Sequence, residues 1–345
     1  MKKILKLIGS VEDENYLEIS IFYNKDFSYK EFIGYEFHDL AVFPEETFCF
    51  IENNTCREKI LEIRNEKSKL LNEKEAFSKI KELNPDAIVI SNYGENKDIK
   101  FRKRLEQAGF PILAPSSDVY EIGMNKAKTK RILQENSISN PKGVFLSKES
   151  LKEVLDTFNF PVVLKDPQVN NSNGVSYLET KEDLITKIEN ENLLSKIDAD
   201  IIIEEYIIGR EIRTSVLETT EGLIAFTPLE YIIKGKIRSF DDKYSINKNN
   251  EVNFSETKVS KFLDKIKEKN LINEISSLAK SAFNALGMKY YCVFDFRVSS
   301  DNKAYILEAG PFYSYGKKSI LFTFGNIDGY TLKNILDFSI ELLNK

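Results

Sequence analysis

The chain has 345 residues, 42% of them hydrophobic and 30% charged, with few glycines and prolines for its length. That apolar share can fill sizeable cores, which excludes wholesale disorder and predicts two or three packed domains. A formal net charge of −5 gives no basic footprint for nucleic acid or an anionic membrane surface.

The chain opens with MKKILKLIGS, lysines ahead of an apolar stretch, as in a leader. Lys6 interrupts that stretch and VEDE follows at once, so it reads as a buried first strand. Lysine- and glutamate-rich sequence over 57–83 predicts helix, PDAIVIS (85–91) a buried strand, 98–108 another helix and FPILA (110–114) a short strand. Strands alternating with helices predict an α/β domain on a parallel sheet. A second unit begins near Gly123 with helical NKAKTKRILQEN, followed by antiparallel-looking PVVLK (161–165), VSYLE (175–179) and IIIEEY (201–206). Beyond Glu211 come further alternating strands, a helix near 272–286, a hairpin over 291–309 and a closing helix near 331–343. Boundaries near 120 and 210 predict domains at 1–120, 121–210 and 211–345. No apolar run approaches the ~20 residues that span a bilayer.

Residue types narrow the chemistry. Cys49, Cys56 and Cys292 form no metal spacing and cannot all pair, which suggests reduced thiols in a cytoplasm. His38 is the single histidine, so a histidine triad or multi-histidine metal site is out of reach. Metal chemistry would rest on carboxylates, pointing to a hard cation such as magnesium.

The segment YCVFDFRVSSDNKAYILEAG (291–310) is the most informative. Alternation puts Tyr291, Val293, Asp295 and Arg297 on one face. With a two-residue turn at Asp301-Asn302, Ser300 pairs with Lys303 and Asp295 falls directly across from Glu308. Like charges so opposed are unfavourable unless something bridges them, and magnesium does so with one or two carboxylates plus phosphate oxygens and water. The alternative is a surface hairpin with two solvated acids.

Three further pieces suit a nucleotide. Lys126 opens a helix, and Lys165 ends an apolar strand and enters the small polar loop DPQVNNSNG (166–174), whose amides could close over phosphates. In DIIIEEYIIGREI (200–212), Glu204 or Glu205 interrupts an apolar strand where it could accept from an adenine amino group, and Glu211 could accept a ribose hydroxyl. Read singly, each lysine is also a solvated surface charge and the strand an edge strand with its acids in water.

The order and spacing of these pieces resemble the ATP-grasp enzymes, and the D-alanine–D-alanine ligase branch in particular. The resemblance covers roughly residues 80–310. It implies an α/β (α+β) three-domain ATP-grasp architecture, with an N-terminal parallel α/β domain and two antiparallel-sheet domains clasping ATP. It also implies ATP and Mg2+ as cofactors, with Lys126 and Lys165 on phosphates and Asn171 and Ser172 in a lid. Glu204 with the backbone at Tyr206 and Ile207 would hold adenine, Glu211 ribose, and Asp295 and Glu308 the metal. SFDDKYS (239–245) resembles the family's mobile loop, making Lys243 a phosphate lysine and Tyr244 a neighbour of the acceptor amine; Glu12 in GSVEDEN would hold a substrate amine.

The implied reaction joins a small carboxylate to an amine through an acyl phosphate, with no nucleic-acid or membrane partner; a homodimer is compatible with it. The sequence departs from the family at three places. Val293 stands where the family has an arginine, Gly310 where it has a metal-binding asparagine, and no histidine stands near Asn92 and Tyr93. The derived register pairs Val293 with Gly310, so two losses share one rung. Arg297, on the Asp295 face, is then the candidate replacement for the arginine. A nucleotide-binding regulator without turnover and a small-molecule kinase are the alternatives.

Overall fold

The structure, a computed structural model, describes residues 1–8, 32–43, 47–51, 66, 70–90, 96–167, 174–196, 200–233, 235–238, 245–246, 252–253, 260–311 and 320–345. The first sheet is built from β1 (Lys2–Ile8), β2 (Tyr35–Phe43), β3 (Thr47–Ile51) and β4 (Ala87–Ile90), in the order β3-β2-β1-β4. β2, β1 and β4 run parallel, as the alternation of strands and helices predicts, while β3 is antiparallel to β2. The link between β2 and β3 spans residues 44–46, too short for the crossover that a parallel partner requires. FPILA contributes one parallel bridge, Ile88 to Ile112, rather than a strand. Two helices follow this sheet's strands, α1 (Glu73–Leu83) and α2 (Asn96–Gln107). Asn72 and Glu75 cap the start of α1 reciprocally, and Asn84 ends it in the left-handed region.

α3 (Ser117–Met124) and α4 (Lys126–Glu135) lead into a second sheet. Asn125 separates the two helices and accepts from the Ala127 and Lys128 amides, so α4 begins at Lys126. The sheet comprises β5 (Gly143–Phe145), β6 (Val162–Lys165), β7 (Val175–Leu178) and β8 (Ile202–Glu205), ordered β5-β8-β6-β7 and antiparallel throughout. Val162, Leu164 and Ile203 bury one face against α5 (Lys148–Thr157) and α6 (Lys181–Asn190). The opposite face carries Gly143, Val163, Lys165, Ile202 and Glu204 by alternation.

A third sheet contains β9 (Gly209–Thr219), β10 (Gly222–Ala225), β11 (Leu229–Tyr231), β14 (Ser260–Phe262), β15 (Tyr291–Ser299) and β16 (Ala304–Gly310), with the short pair β12 (Ser245–Ile246) and β13 (Val252–Asn253) separate from it. Ile212, Val216, Cys292, Phe294, Phe296 and Val298 bury one face against α7 (Lys269–Ala285). Each such side chain contributes about 1.5–3 kcal/mol on leaving water. On the other face Leu217, Tyr291 and Val293 join α8 (Ile320–Ile327), α9 (Leu332–Leu343) and the Ile4, Phe37, Ala87 and Val89 side of the first sheet in one core.

The hairpin turn differs from expectation. Ser299 and Lys303 close it, and Asn302 adopts φ 61°, so it holds three residues instead of two. Phe296 therefore faces Ile306. A bulge at Leu307 then restores the register, and Asp295 faces Glu308 and Val293 faces Gly310 as derived.

Candidate active site

Two sheet faces meet at the connection 206–208 between β8 and β9. On the second sheet, Lys165 and Glu204 project from neighbouring strands on the face away from the apolar core. Both oxygens of Glu204 are engaged. Oε2 pairs with Lys165 and Oε1 with Lys130, the latter at 2.8 Å. Lys130 is 4% exposed and donates also to Asn140 Oδ1 at 2.9 Å and the Pro141 carbonyl at 2.8 Å. Gly143 lies beneath: a Cβ there would come within 2.8 Å of both Glu204 Cγ and Lys130 Cε. Burial alone would push Glu204's carboxyl up, but Lys165 and Lys130 outweigh it and hold the pKa below the ordinary value. Burial lowers the pKa of Lys130, and the nearby Lys165 ammonium adds to this. One carboxylate between two ammoniums leaves an excess positive charge in a buried place.

Lys126 stands one turn before Lys130 on α4 and forms no ion pair with the described residues. Lys130, Glu204 and Lys165 thus form one charged cluster, with Lys126 one turn earlier on α4. The sequence reading missed Lys130. Its signal was helical spacing, because Lys130 lies between the buried Ala127 and Leu133 in the stripe α4 turns inward. Asn171 and Ser172 lie outside the described residues, as do Glu12, Lys243, Tyr244, Asn92 and Tyr93.

At the connection, the Tyr206 amide donates to the Pro161 carbonyl and its hydroxyl to the Lys236 carbonyl at 2.6 Å. Tyr177 touches the Tyr206 ring edge-on at 5.0 Å from the second sheet, and Arg297 lies 5.1 Å from it on the third. Among the described residues nothing bonds the Ile207 amide or the Tyr206 carbonyl. Gly209 follows because a Cβ there would lie 1.9 Å from the Val298 carbonyl oxygen.

The third-sheet face consists of three rungs across β9, β15 and β16. They hold Ser215, Val293 and Gly310; then Arg213, Asp295 and Glu308; then Glu211, Arg297 and Tyr305. In the hinge-side rung Arg297 is 4% exposed and spends its donors on the Gly209 carbonyl at 2.9 Å, the Lys236 carbonyl and the Tyr206 hydroxyl. Glu211 stands 4.0 Å from Arg297 and 3.9 Å from Arg238. Arg297 therefore fastens the connection between the sheets. Its backbone lies one rung along the strand from Asp295.

In the middle rung the expected pair of acids stands side by side, and a guanidinium lies on one of them, Asp295. Arg213, which the sequence reading passed over, lies on it fork to fork, Nε on Oδ1 and Nη2 on Oδ2 at 2.5 Å. The charge opposition inferred from the hairpin alone is thus relieved by a guanidinium from the third strand. Alternation along Glu211, Arg213 and Ser215 was the signal; the β9–β15 pairing needed to use it joins residues 82 apart. Glu308 is half-buried and pairs with no described residue. In the last rung Val293 is 3% exposed and belongs to the apolar core shared with the first sheet.

Three sheets in this arrangement, with a buried lysine–glutamate cluster on the second and a charged rung on the third, match the architecture of the ATP-grasp ligases. The D-ala D-ala ligase C-terminus model matches residues 119–341, and the chain belongs to that family, one of ATP-dependent carboxylate–amine ligases. Relatives include the D-alanine–D-alanine ligase of Janthinobacterium sp. (strain Marseille), 27% identical over 65% of this chain and 68% of its own length. That of Pelotomaculum thermopropionicum is 24% identical over 78% and 83%. Among solved structures, the VanG D-Ala:D-Ser ligase of Enterococcus faecalis superposes with a TM-score of 0.74 at 18% identity, covering 99% of both chains. The Bacillus anthracis D-alanine–D-alanine ligase complexed with ATP gives 0.65 at 18%, covering 99% and 97%. No described helix is long and apolar enough to cross a membrane.

Proposed function

We propose that this chain uses ATP to join a small carboxylate to an amine, through an acyl phosphate, on an acceptor side that differs from the D-alanine–D-alanine enzymes. The observation that carries the reading is the buried Lys130, Glu204 and Lys165 cluster. Its surplus positive charge calls for an anion, and the Ile207 amide and Tyr206 carbonyl that follow Glu204 in the chain suit a purine edge. Glu204, spent on two lysines, is read as the residue that positions Lys165 rather than as the adenine acceptor. Lys126 and Lys165 neutralise phosphate, and Glu211 accepts from ribose.

Among the described residues no three His, Cys, Asp or Glu side chains form a metal site. Magnesium fits here as an ion carried by nucleotide phosphates with Glu308 as its protein carboxylate, a donor set this small cation accepts. When bound it neutralises charge on the transferred phosphoryl group. In the reaction a carboxylate oxygen attacks the γ-phosphorus and ADP leaves. The amine nitrogen then attacks the acyl carbon, the tetrahedral species expels phosphate, and the nitrogen loses a proton. Lysines do this work by position and charge, and water is excluded because the acyl phosphate hydrolyses.

Val293 and Gly310 mark the altered side. The name of the Enterococcus neighbour shows that the second amino acid varies within this fold. The reading places the chain in the cytoplasm as a homodimer, which light scattering would correct if it returned the mass of one chain. The central test measures ADP release over pairs of carboxylates and amines, with products identified by mass spectrometry. Amine-dependent release supports the reading. A phosphorylated product without an amine would make the chain a kinase, and silence over all pairs would make it a nucleotide-binding regulator.

A further inference from the structure

The middle rung of the third sheet holds a cation where the two acids alone would call for a metal. Arg213, Asp295 and Glu308 stand on adjacent strands about 4.8 Å apart, with their side chains on one face. The guanidinium is held from two directions. Asp295 takes two of its N–H donors, and the Tyr231 ring on β11 lies 5.6 Å from Cζ, itself covered on the Arg238 side at 3.7 Å. The side chains of Arg213 and Asp295 are 13% and 10% exposed. An ion pair so shielded, in fork geometry, is pre-organised.

Resting on the ligase reading, we propose that Arg213 is a fixed cation that takes the place of a metal ion on Asp295. Glu308 is then the single carboxylate ligand of the magnesium, and the guanidinium is the donor presented to the oxygens that gain charge during phosphoryl and acyl transfer. Three observations converge on this. Both Asp295 oxygens are occupied, so bridging two ions would require breaking a buried bidentate pair. Gly310 offers no side-chain donor to a second ion. Arg297 is committed to the hinge, while Arg213 lies on the acidic rung itself, next to the rung whose Val293 is packed into apolar core.

Manganese is the probe, counted by electron paramagnetic resonance with ADP saturating. The wild type should bind one tight Mn2+ per bound ADP. Asp295→Asn should leave that count at one, and Glu308→Gln should weaken the site at least tenfold. Two ions in the wild type, or loss of an ion in Asp295→Asn, would overturn the proposal. Arg213→Lys keeps a charge but loses the fork, and it is the variant least exposed to misfolding. It should lower kcat by about a hundredfold, as loss of one transition-state donor does, with KM for ATP within about threefold. An unchanged kcat would refute the donor role. The count of manganese is independent of turnover, so a chain that ligates nothing would sink the ligase reading and still decide the metal count.

Discussion

Glu204→Gln tests the buried lysine pair most directly. The substitution keeps the shape of the side chain and removes the one negative charge between Lys130 and Lys165. At 2.8 Å and an effective dielectric of about 20, each such pair is worth about 6 kcal/mol of Coulomb attraction before desolvation is subtracted. What a mutation measures is smaller, about 3–5 kcal/mol for leaving a buried charge uncompensated. The glutamine oxygen can still accept from one lysine, so the low end, about 3 kcal/mol, is expected. Urea unfolding should show it as a lower midpoint of the transition reporting on the β6 and β8 strands. Lys130→Met in the same chain should recover at least half of the loss, since only one ammonium then remains. Acid provides a second reading. Glu204 has a folded pKa below its ordinary 4.5, so its contribution is fully present above that value and is lost as pH falls through the lower, folded pKa. Glu204→Gln should therefore flatten the acid limb of the stability profile below pH 4.5. A loss under about 1 kcal/mol, typical of an exposed pair, with an unchanged acid limb, would refute the claim that the cluster is buried and coupled.

Three other outcomes follow from the same geometry. Gly143→Ala forces a Cβ into 2.8 Å contact with Glu204 and Lys130; it should cost about 1–3 kcal/mol and weaken ATP binding, and wild-type stability in calorimetry would mean the cluster can step aside. Lys165→Ala should weaken ATP far more than adenosine in calorimetric titration, because only phosphates present the charge that Lys165 meets; equal losses would assign it to folding alone. Cys292 is fully buried and burial pushes its thiol pKa well up, so it should resist alkylation in the native chain at pH 8 and react only on unfolding; modification at the rate of a free thiol would contradict its placement in the β15 core.

Much of the local architecture was legible in the residues themselves. Apolar runs marked β6 and β8, period-two alternation marked β15, and the Lys126 helix began where its asparagine cap sits. The Asp295 to Glu308 pairing was right although its turn was one residue too short. The Leu307 bulge returns the strands to the derived register, and nothing in ILEAG announces it. β2 and β3 were not read at all, since YEFHDLAVF and TFCFI lack a clean alternation and are buried by neighbours far along the chain.

What sequence alone determined was which face each functional side chain takes, because strand and helix periods are local properties. Which charge meets which was decided only by tertiary structure. Glu204 read as a free acceptor until α4 brought Lys130 against it, and Asp295 read as half of a metal pair until β9 laid Arg213 across it. Arg297 read as a catalytic donor until the 236 carbonyl and the Gly209 turn claimed it. In each case the partner comes from a segment 61 to 88 residues away, and the energy of a charge is set by its neighbours in space. A strand's own period cannot report them.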